Sequence, residues 1–416
     1  MKSEEKKLST ESYKGVRDFY PEDMFIQKHI FERMSKAVQK FGYVEYGASV
    51  LEPAELYRAK SGEEIVNEQT YTFTDRGDRE VTLRPEMTPT VARMVAGKRR
   101  ELAFPLRWYS IPNLFRYEKP QRGRTREHWQ LNVDLFGAES IEADVEIIAV
   151  AHEIMHSLGA TNNDFEIHIN SREIINAEIA RSGLSAEQGH TYMKLLDKKS
   201  KLPQETFESE AQKITGGKPI VFKADKSITK IIETLEKMGI KNVRYDDSIV
   251  RGFDYYTGMV FEVYDTNPEN RRALFGGGRY DDLTSLFGGE QIPAVGFGMG
   301  DVGARNFLET HNLLPTYKPS AQLYIAIQEE TCRESAEQLA TTLRGHDIDV
   351  IIDISHKKLG DQIKIADKQK IPFVTAVGAE EVKSGAYRIK NMLDGTEKIL
   401  KAEEIPVYLK TQNIII

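Results

Sequence analysis

Arg116 and Glu118 stand two residues apart in Phe115-Arg116-Tyr117-Glu118, a spacing that puts both side chains on one face of an extended strand. A guanidinium placed there grips a phosphate, and a carboxylate accepts from a base amine or holds a metal. By itself such a pair is far more often a cross-strand salt bridge. The turn that follows, Gln121-Arg122-Gly123-Arg124-Thr125-Arg126, sets three more guanidinium groups beside that face. Beyond it Trp129, Leu131, Val133 and Leu135 alternate with Gln130, Asn132 and Asp134, so one face of a second strand is apolar and the other carries three polar groups. A polar row on a sheet face needs a ligand or water. Phosphate-binding and amine-binding groups then stand side by side. Activation of an amino acid needs this arrangement, with the carboxylate in line with an α-phosphate and cations absorbing the charge that grows.

A different chemistry is written in His152-Glu153-Ile154-Met155-His156, which matches the His-Glu-x-x-His pattern of zinc hydrolases on a helix. The run continues as Ser157-Leu158-Gly159, and the position where one such family places a third histidine is Asn162, a poor zinc ligand. A zinc hydrolase working through His152 and His156 is therefore a remote alternative, and the bland reading is a solvated or core-edge pair.

The elements that must carry these groups are legible. Ile26, Ile30, Met34, Ala37, Val38 and Phe41 recur at helical spacing between Pro21 and the stop at Gly42. Tyr71 to Phe73 and Val81 to Leu83 flank the turn Asp75-Arg76-Gly77-Asp78 as a hairpin. From Leu106 to Gly137 the pattern is strand, polar turn, strand, and Ser140 caps a helix running to Gly159. Asn170 to about Lys241 reads as several short charged helices inserted before sheet-like sequence resumes at Val243. Past Pro315 and Pro319 the grammar becomes strand (Leu323 to Ile327), helix, strand (Val350 to Ile352), helix, strand (Phe373 to Val377), a separate α/β domain with parallel strands.

Composition bounds the possibilities. With 416 residues, 40% hydrophobic and 29% charged, the chain has the balance of a multidomain soluble protein, and no apolar run approaches the ~20 residues that span a bilayer. A net charge of -7 excludes a nonspecific nucleic-acid coat but allows local basic patches. Met1 to Thr10 are polar and charged, unlike a secretory signal, and read as a frayed tail. Cys332 is the only cysteine, which rules out an internal disulfide, fits a reducing cytoplasmic compartment and reads as a small core residue.

The run from Phe115 to Gly137 resembles motif 2 of class II aminoacyl-tRNA synthetases, in the form found in histidyl enzymes. Lys14-Gly15-Val16-Arg17-Asp18 and Pro21-Glu22-Asp23-Met24 resemble the amino terminus of that family, Phe41 to Glu63 its dimer-forming motif 1, and Leu83-Arg84-Pro85-Glu86-Met87-Thr88-Pro89 its amino-acid-binding strand and loop. Arg251-Gly252-Phe253-Asp254-Tyr255-Tyr256-Thr257-Gly258 and Gly276-Gly277-Gly278-Arg279-Tyr280-Asp281 resemble its two histidine-specific motifs, although either alone reads as core aromatics or a bulge. A neutral imidazole needs an acceptor for one ring nitrogen and a donor or aromatic wall for the other, which carboxylates and tyrosines provide.

The resemblance implies histidine and ATP as substrates, tRNA(His) as acceptor, Mg²⁺ on the outer phosphates, a cytoplasmic homodimer and no membrane partner. It implies Glu86 and Gln130 at the α-amino group, Asp134, Tyr255, Tyr256 and Tyr280 around the imidazole, and Arg116, Glu118 and Arg124 on ATP. Arg251, with Arg116, would act in catalysis at the α-phosphate, with no resident metal and no protein nucleophile. The implied fold is α+β: a class II catalytic domain with an antiparallel sheet flanked by helices (residues 1–161 and 242–317), a mostly helical insertion (162–241) and an α/β anticodon-binding domain (318–416). Lys357, Lys358, Lys364, Lys368 and Lys370 gather around that last domain's second helix, as an RNA backbone patch requires.

Two departures from the family pattern stand out. Asp134 replaces a frequent Glu, which shortens reach but keeps the charge. Val295-Gly296-Phe297-Gly298-Met299-Gly300 resembles motif 3 but continues Asp301-Val302-Gly303-Ala304-Arg305, with Gly303 where the family arginine aligns. Arg305 lies two residues later, about 200° around a helix. This altered motif 3 favours the alternative of a catalytically silent paralogue such as the regulatory subunit of ATP phosphoribosyltransferase. Arg251, both tyrosine motifs and a full terminal domain favour the synthetase.

Overall fold

Pro21 presets the first turn of a helix that runs to Gln39, and Glu22 and Asp23 lie at its positive end. Ile30, Met34, Ala37 and Val38 form its buried stripe, as their spacing predicts. A second helix, Ile141–Ser157, buries a broader face that includes Ile147, Ile148, Val150 and Ile154. These two helices pack on each other and, with Asp301–Thr310, cover one face of a large sheet. The computed structural model describes residues 8–58, 69–119, 123–196, 198–199, 202–251, 255–270 and 272–412. Expectations for residues 1–7, for 59–63 of the motif 1 stretch, for Gln121-Arg122 of the basic turn and for Gly252-Phe253-Asp254 lie outside the described residues.

The chain divides into two compact units, Met1–Pro315 and Thr316–Ile416. In the first, a nine-stranded sheet follows the order Val44–Glu45, Leu106–Ser110, Glu127–Phe136, Ala294–Gly300, Ala273–Arg279, Met259–Asp265, Phe165–Ser171 and Val243–Tyr245, with Asn113–Phe115 also paired to Glu127–Phe136. Its pairings are antiparallel except at the two edges, where Val44–Glu45 and Val243–Tyr245 run parallel to their neighbours. The expected hairpin forms as Tyr71–Thr74 and Glu80–Leu83, closed where Asp75 Oδ1 accepts from the Gly77 and Arg79 amides at 2.8 and 3.0 Å.

The expected helical insertion starts later than residue 162. Phe165–Ser171 is a strand of the large sheet, paired over seven residues with Met259–Asp265. Phe165, Ile167 and Ile169 are buried, so the alternation Phe-Glu-Ile-His-Ile is a strand signal that the neighbouring charged helices obscured. Helices Arg172–Ser182, Ala186–Leu196, Gln204–Thr215 and Lys226–Lys237 follow.

In the second unit, the three predicted strands Leu323–Ile327, Val350–Ile352 and Phe373–Val377 are parallel. Two antiparallel strands, Ala386–Asn391 and Glu397–Lys401, extend that sheet and were not read from sequence. Cys332 is buried in this unit's core.

One buried carboxylate ties the first unit together at a place sequence reasoning treated only as a flawed motif. Asp301, 1% exposed, accepts from Arg17 Nη2 at 2.7 Å, Gln27 Nε2 at 2.9 Å and the Trp129 amide at 3.0 Å. Removing it leaves three donors unanswered. Asp301→Ala is expected to destabilise the fold by about 3 kcal/mol, read as a lower midpoint in urea unfolding.

Candidate active site

The face of the sheet opposite the helices carries the polar row. Leu131, Val133 and Leu135 join the core, while Gln130, Asn132 and Asp134 line a cleft. Glu86, Thr88, Arg116, Arg251, Tyr255, Tyr256 and Tyr280 complete its polar and aromatic walls. Eight residues assigned from the sequence motifs, scattered between positions 86 and 280, therefore meet in one cleft.

Glycines make this convergence possible. Gly296 pairs directly with Asp134, and Gly276 with Gly298, across neighbouring strands. A Cβ on Gly296 would lie 2.7 Å from Asp134 Oδ1 and 2.4 Å from the Val133 carbonyl, and one on Gly298 would lie 1.9 Å from Gln130 Nε2. The cleft floor is bare backbone because side chains from the adjacent strand occupy the space above it.

Tyr280 donates its hydroxyl hydrogen to Asp134 Oδ1. Asp134 is 3% exposed, and its Oδ2 is buried with no hydrogen-bond partner among the described residues. Burial pushes the Asp134 carboxyl up to about 7, against the opposing effect of the Tyr280 hydrogen bond. Tyr255 donates to Glu86 Oε2 at 3.2 Å, and its ring packs edge-on to Tyr280 and tilted on Tyr256. Burial raises the Tyr255 and Tyr280 hydroxyls well above 10, so both keep their protons as donors.

Arg251 Nη1 donates to Glu262 Oε1 at 2.9 Å and Nη2 to the Gly276 carbonyl at 3.2 Å, and its guanidinium lies 5.8 Å from the Tyr256 ring. Arg116 also lines the cleft, its Nε donating to the Pro85 carbonyl at 2.9 Å. It lies just past the short strand Asn113–Phe115 rather than within it. Glu118 and Arg124 are not among the cleft-lining residues. They pair with each other at 3.3 Å, and Glu118 lies 4.0 Å from Arg116. Arg126 does not join a phosphate patch: it stacks 4.0 Å above Tyr117 and donates to the Glu118 carbonyl and the Tyr13 hydroxyl.

Arg305, two residues past the aligned motif 3 position, is not among the cleft-lining residues. It donates to Asp23 at 2.8 Å and Glu309 at 3.0 Å, clear of the cleft lining, as its rotation around the helix predicts. The zinc reading also finds its geometry answered. The His152 and His156 Nε2 atoms meet Asn162 Oδ1 at 2.9 and 2.8 Å, and Glu153 bonds Lys40. Among the described residues no group of three or more His, Cys, Asp or Glu side chains is arranged to hold a metal.

Glu262 is the residue that sequence reading missed. Nothing in its strand sets it apart from a solvated acid; only the register opposite Gly276 puts it under Arg251.

A large, mostly antiparallel sheet with the reacting face open, helices on its back and a terminal α/β unit is the architecture of a class II aminoacyl-tRNA synthetase. Residues 15–212 and 201–300 match the family model described as histidyl-tRNA synthetase, and residues 322–412 match that of an anticodon binding domain. The chain is 43% identical over 413 residues to the histidine–tRNA ligase of Leptospira biflexa, spanning 93% of this chain and 94% of that one. It is 37% identical over 428 residues to the histidine–tRNA ligase of Thermoplasma volcanium, spanning 97% and 99%. The crystal structure of histidyl-tRNA synthetase from Nostoc sp. PCC 7120 shares the fold with a TM-score of 0.82 at 21% identity, over 98% of this chain and 100% of that one. The chain belongs to the histidyl-tRNA synthetase family.

Proposed function

We propose that this histidine–tRNA ligase uses the cleft to join histidine and ATP into histidyl-adenylate and pyrophosphate, and then passes the histidyl group to the 3′-terminal ribose of tRNA(His). The observation that carries this reading is the buried, unpartnered Oδ2 of Asp134, facing a cleft that also holds Glu86 and Arg251. A buried acceptor without a donor is costly unless a ligand supplies one. An imidazole N–H does so, with Tyr280 and Tyr256 enclosing the ring and Tyr255 fixing Glu86. Glu86 and Gln130 then accept and orient the α-amino group. That leaves the substrate carboxylate directed toward Arg116 and Arg251, where the α-phosphate of ATP would lie.

Attack by the carboxylate places growing negative charge on the phosphorus oxygens, and two fixed guanidinium groups stabilise it without reorganising at the moment of reaction. No side-chain nucleophile is required. Glu118 and Arg124 bind ATP from the edge of the cleft, separating as the nucleotide enters. Mg²⁺ would come in on the outer phosphates, neutralising the departing pyrophosphate, and the Glu118 carboxylate beside Arg124 would help to hold a cation that takes most of its oxygens from phosphate and water. Burying the bound intermediate limits its hydrolysis.

Lys357, Lys358, Lys364, Lys368 and Lys370 are all exposed around the helix Leu359–Lys368 and supply the cationic surface for the tRNA backbone. Among the described residues no helix is long and apolar enough to cross a membrane. We place the enzyme in the cytoplasm as a homodimer.

Histidine-dependent ATP–pyrophosphate exchange by the purified chain tests the reading directly. Exchange is expected with histidine and not with other amino acids. Its absence in folded, dimeric protein would instead assign the chain to a silent paralogue.

A further inference from the structure

The Arg251 guanidinium is tethered to the sheet by its bonds to Glu262 and to the Gly276 carbonyl. Glu262 and Gly276 are directly opposed on adjacent strands, and a Cβ on Gly276 would come within 3.1 Å of Arg251 Nη1. The same Cβ would lie 2.3 Å from the Phe261 carbonyl, so strand pairing itself requires the glycine and the arginine lies over bare backbone. Glu262 is held in turn, because the Tyr264 hydroxyl donates to its second oxygen. The Tyr264 ring packs on His168 with centroids 4.7 Å apart, and His168 Nδ1 lies 3.0 Å from Asp246 Oδ2.

Asp246 begins the segment that ends at Arg251. Its Oδ1 accepts from the Ser248 amide at 2.9 Å, while Asn170 donates to the Ile249 carbonyl at 2.9 Å. The contacts therefore close a circuit: along the backbone from Asp246 to Arg251, across to Glu262, and back through Tyr264 and His168. Arg251 sits at φ +60, a left-handed conformation that costs a non-glycine residue about 1 kcal/mol or more and persists where the surroundings impose it.

We propose that Glu262 is a positioning residue for adenylate formation: it fixes the Arg251 guanidinium over the sheet, and Tyr264, packed on His168, fixes Glu262. The proposal rests on the reading of Arg251 as the α-phosphate cation. Two effects oppose each other here. A carboxylate 2.9 Å away offsets part of the arginine's charge, but it also removes the rotamer freedom that a long cationic side chain would otherwise lose during the reaction. A displacement of about 1 Å costs on the order of 100-fold in rate, so the positioning effect prevails.

The test compares Glu262→Gln, Tyr264→Phe, Arg251→Ala and the double variant Arg251→Ala/Glu262→Gln in the full chain, by exchange kinetics and calorimetric histidine binding. Glu262→Gln is expected to lower kcat by about 10- to 100-fold with the histidine Kd changed by less than about threefold. Tyr264→Phe, which removes one hydroxyl, should lower kcat in the same way by about threefold to tenfold. Glu262→Gln should add no loss in the Arg251→Ala background, because both act through one group. The proposal is overturned if Glu262→Gln and Tyr264→Phe keep kcat within about twofold, if histidine affinity falls as far as the rate, or if the two losses add in the double variant. Should Glu262→Gln not fold, Tyr264→Phe decides alone. Wild-type exchange by Arg251→Ala would sink the assignment of Arg251 itself.

Discussion

Arg251→Ala is expected to slow histidine-dependent ATP–pyrophosphate exchange by on the order of 10²- to 10³-fold while leaving the histidine Kd within about threefold. The asymmetry follows from where the guanidinium stands. Its guanidinium bonds Glu262 and the Gly276 carbonyl and lies 5.8 Å from the Tyr256 ring, while Asp134 and Tyr280 bond each other, so the acceptor for the imidazole is in place without it. Its charge matters when negative charge builds on the α-phosphate, which is the condition for lowering the barrier rather than the ground state. Truncation does a second kind of harm: Glu262, which now balances Arg251 at 2.9 Å, would face the incoming phosphates unneutralised. Arg251→Lys separates the two effects, since it keeps a cation but loses the planar fork that meets Glu262 and the Gly276 carbonyl together. An intermediate rate for the lysine variant supports this account; exchange at wild-type speed in Arg251→Ala would remove Arg251 from the chemistry.

Asp134→Asn should raise the histidine Kd by about 10- to 150-fold, the equivalent of about 1.5–3 kcal/mol for a charged hydrogen bond. The substitution keeps the shape and a partner for Tyr280 but takes the anionic acceptor from the imidazole N–H. The pH dependence should change with it. Burial holds the Asp134 carboxyl at about 7, so the free site gains a proton as pH falls through neutrality and loses the acceptor it needs. The substrate imidazole protonates near 6.5 in the same interval. Histidine affinity of the wild type is therefore expected to fall steeply between pH 8 and 6, and that of Asp134→Asn to follow only the substrate's own protonation.

Stability should move the other way. A carboxyl whose folded pKa is raised from 3.8 to about 7 is a group whose ionisation costs the folded state, fully above about pH 7 and not at all well below pH 3.8. Asp134→Asn is expected to melt at a higher temperature than wild type at pH 8, with the advantage fading toward pH 5. Calorimetric binding and thermal melts on the same samples check both halves. Unchanged histidine affinity in the variant would end the assignment of Asp134 to the imidazole.

The sequence by itself determined many of the elements, the terminal domain and most of the cleft's membership, but not the strands Phe165–Ser171, Ala386–Asn391 and Glu397–Lys401. Alternation along Trp129 to Leu135 is a property of strand geometry, so the polar row of Gln130, Asn132 and Asp134 was legible before any fold was known. The long motifs around Arg251, Tyr256, Gly276 and Tyr280 carried the family likeness, because their residue types and spacing occur together so rarely by chance.

Only the tertiary structure decided which charged groups work in the cleft and which hold the frame. Arg116, Arg124, Arg126 and Arg305 look alike in sequence, yet only Arg116 lines the cleft, while Arg124 pairs with Glu118, Arg126 stacks on Tyr117 and Arg305 bonds Asp23. Asp301 read as a break in a motif and proved to be an acceptor shared by Arg17, Gln27 and the Trp129 amide. Glu262 acquired its place through strand register. The physical reason is common to all of them: whether the partner is near in sequence, as Glu118 is to Arg124, or 282 residues away, as Asp23 is from Arg305, its identity is fixed by which turns, strands and helices meet. Local spacing determines the face a side chain occupies, and chain topology determines what that face meets.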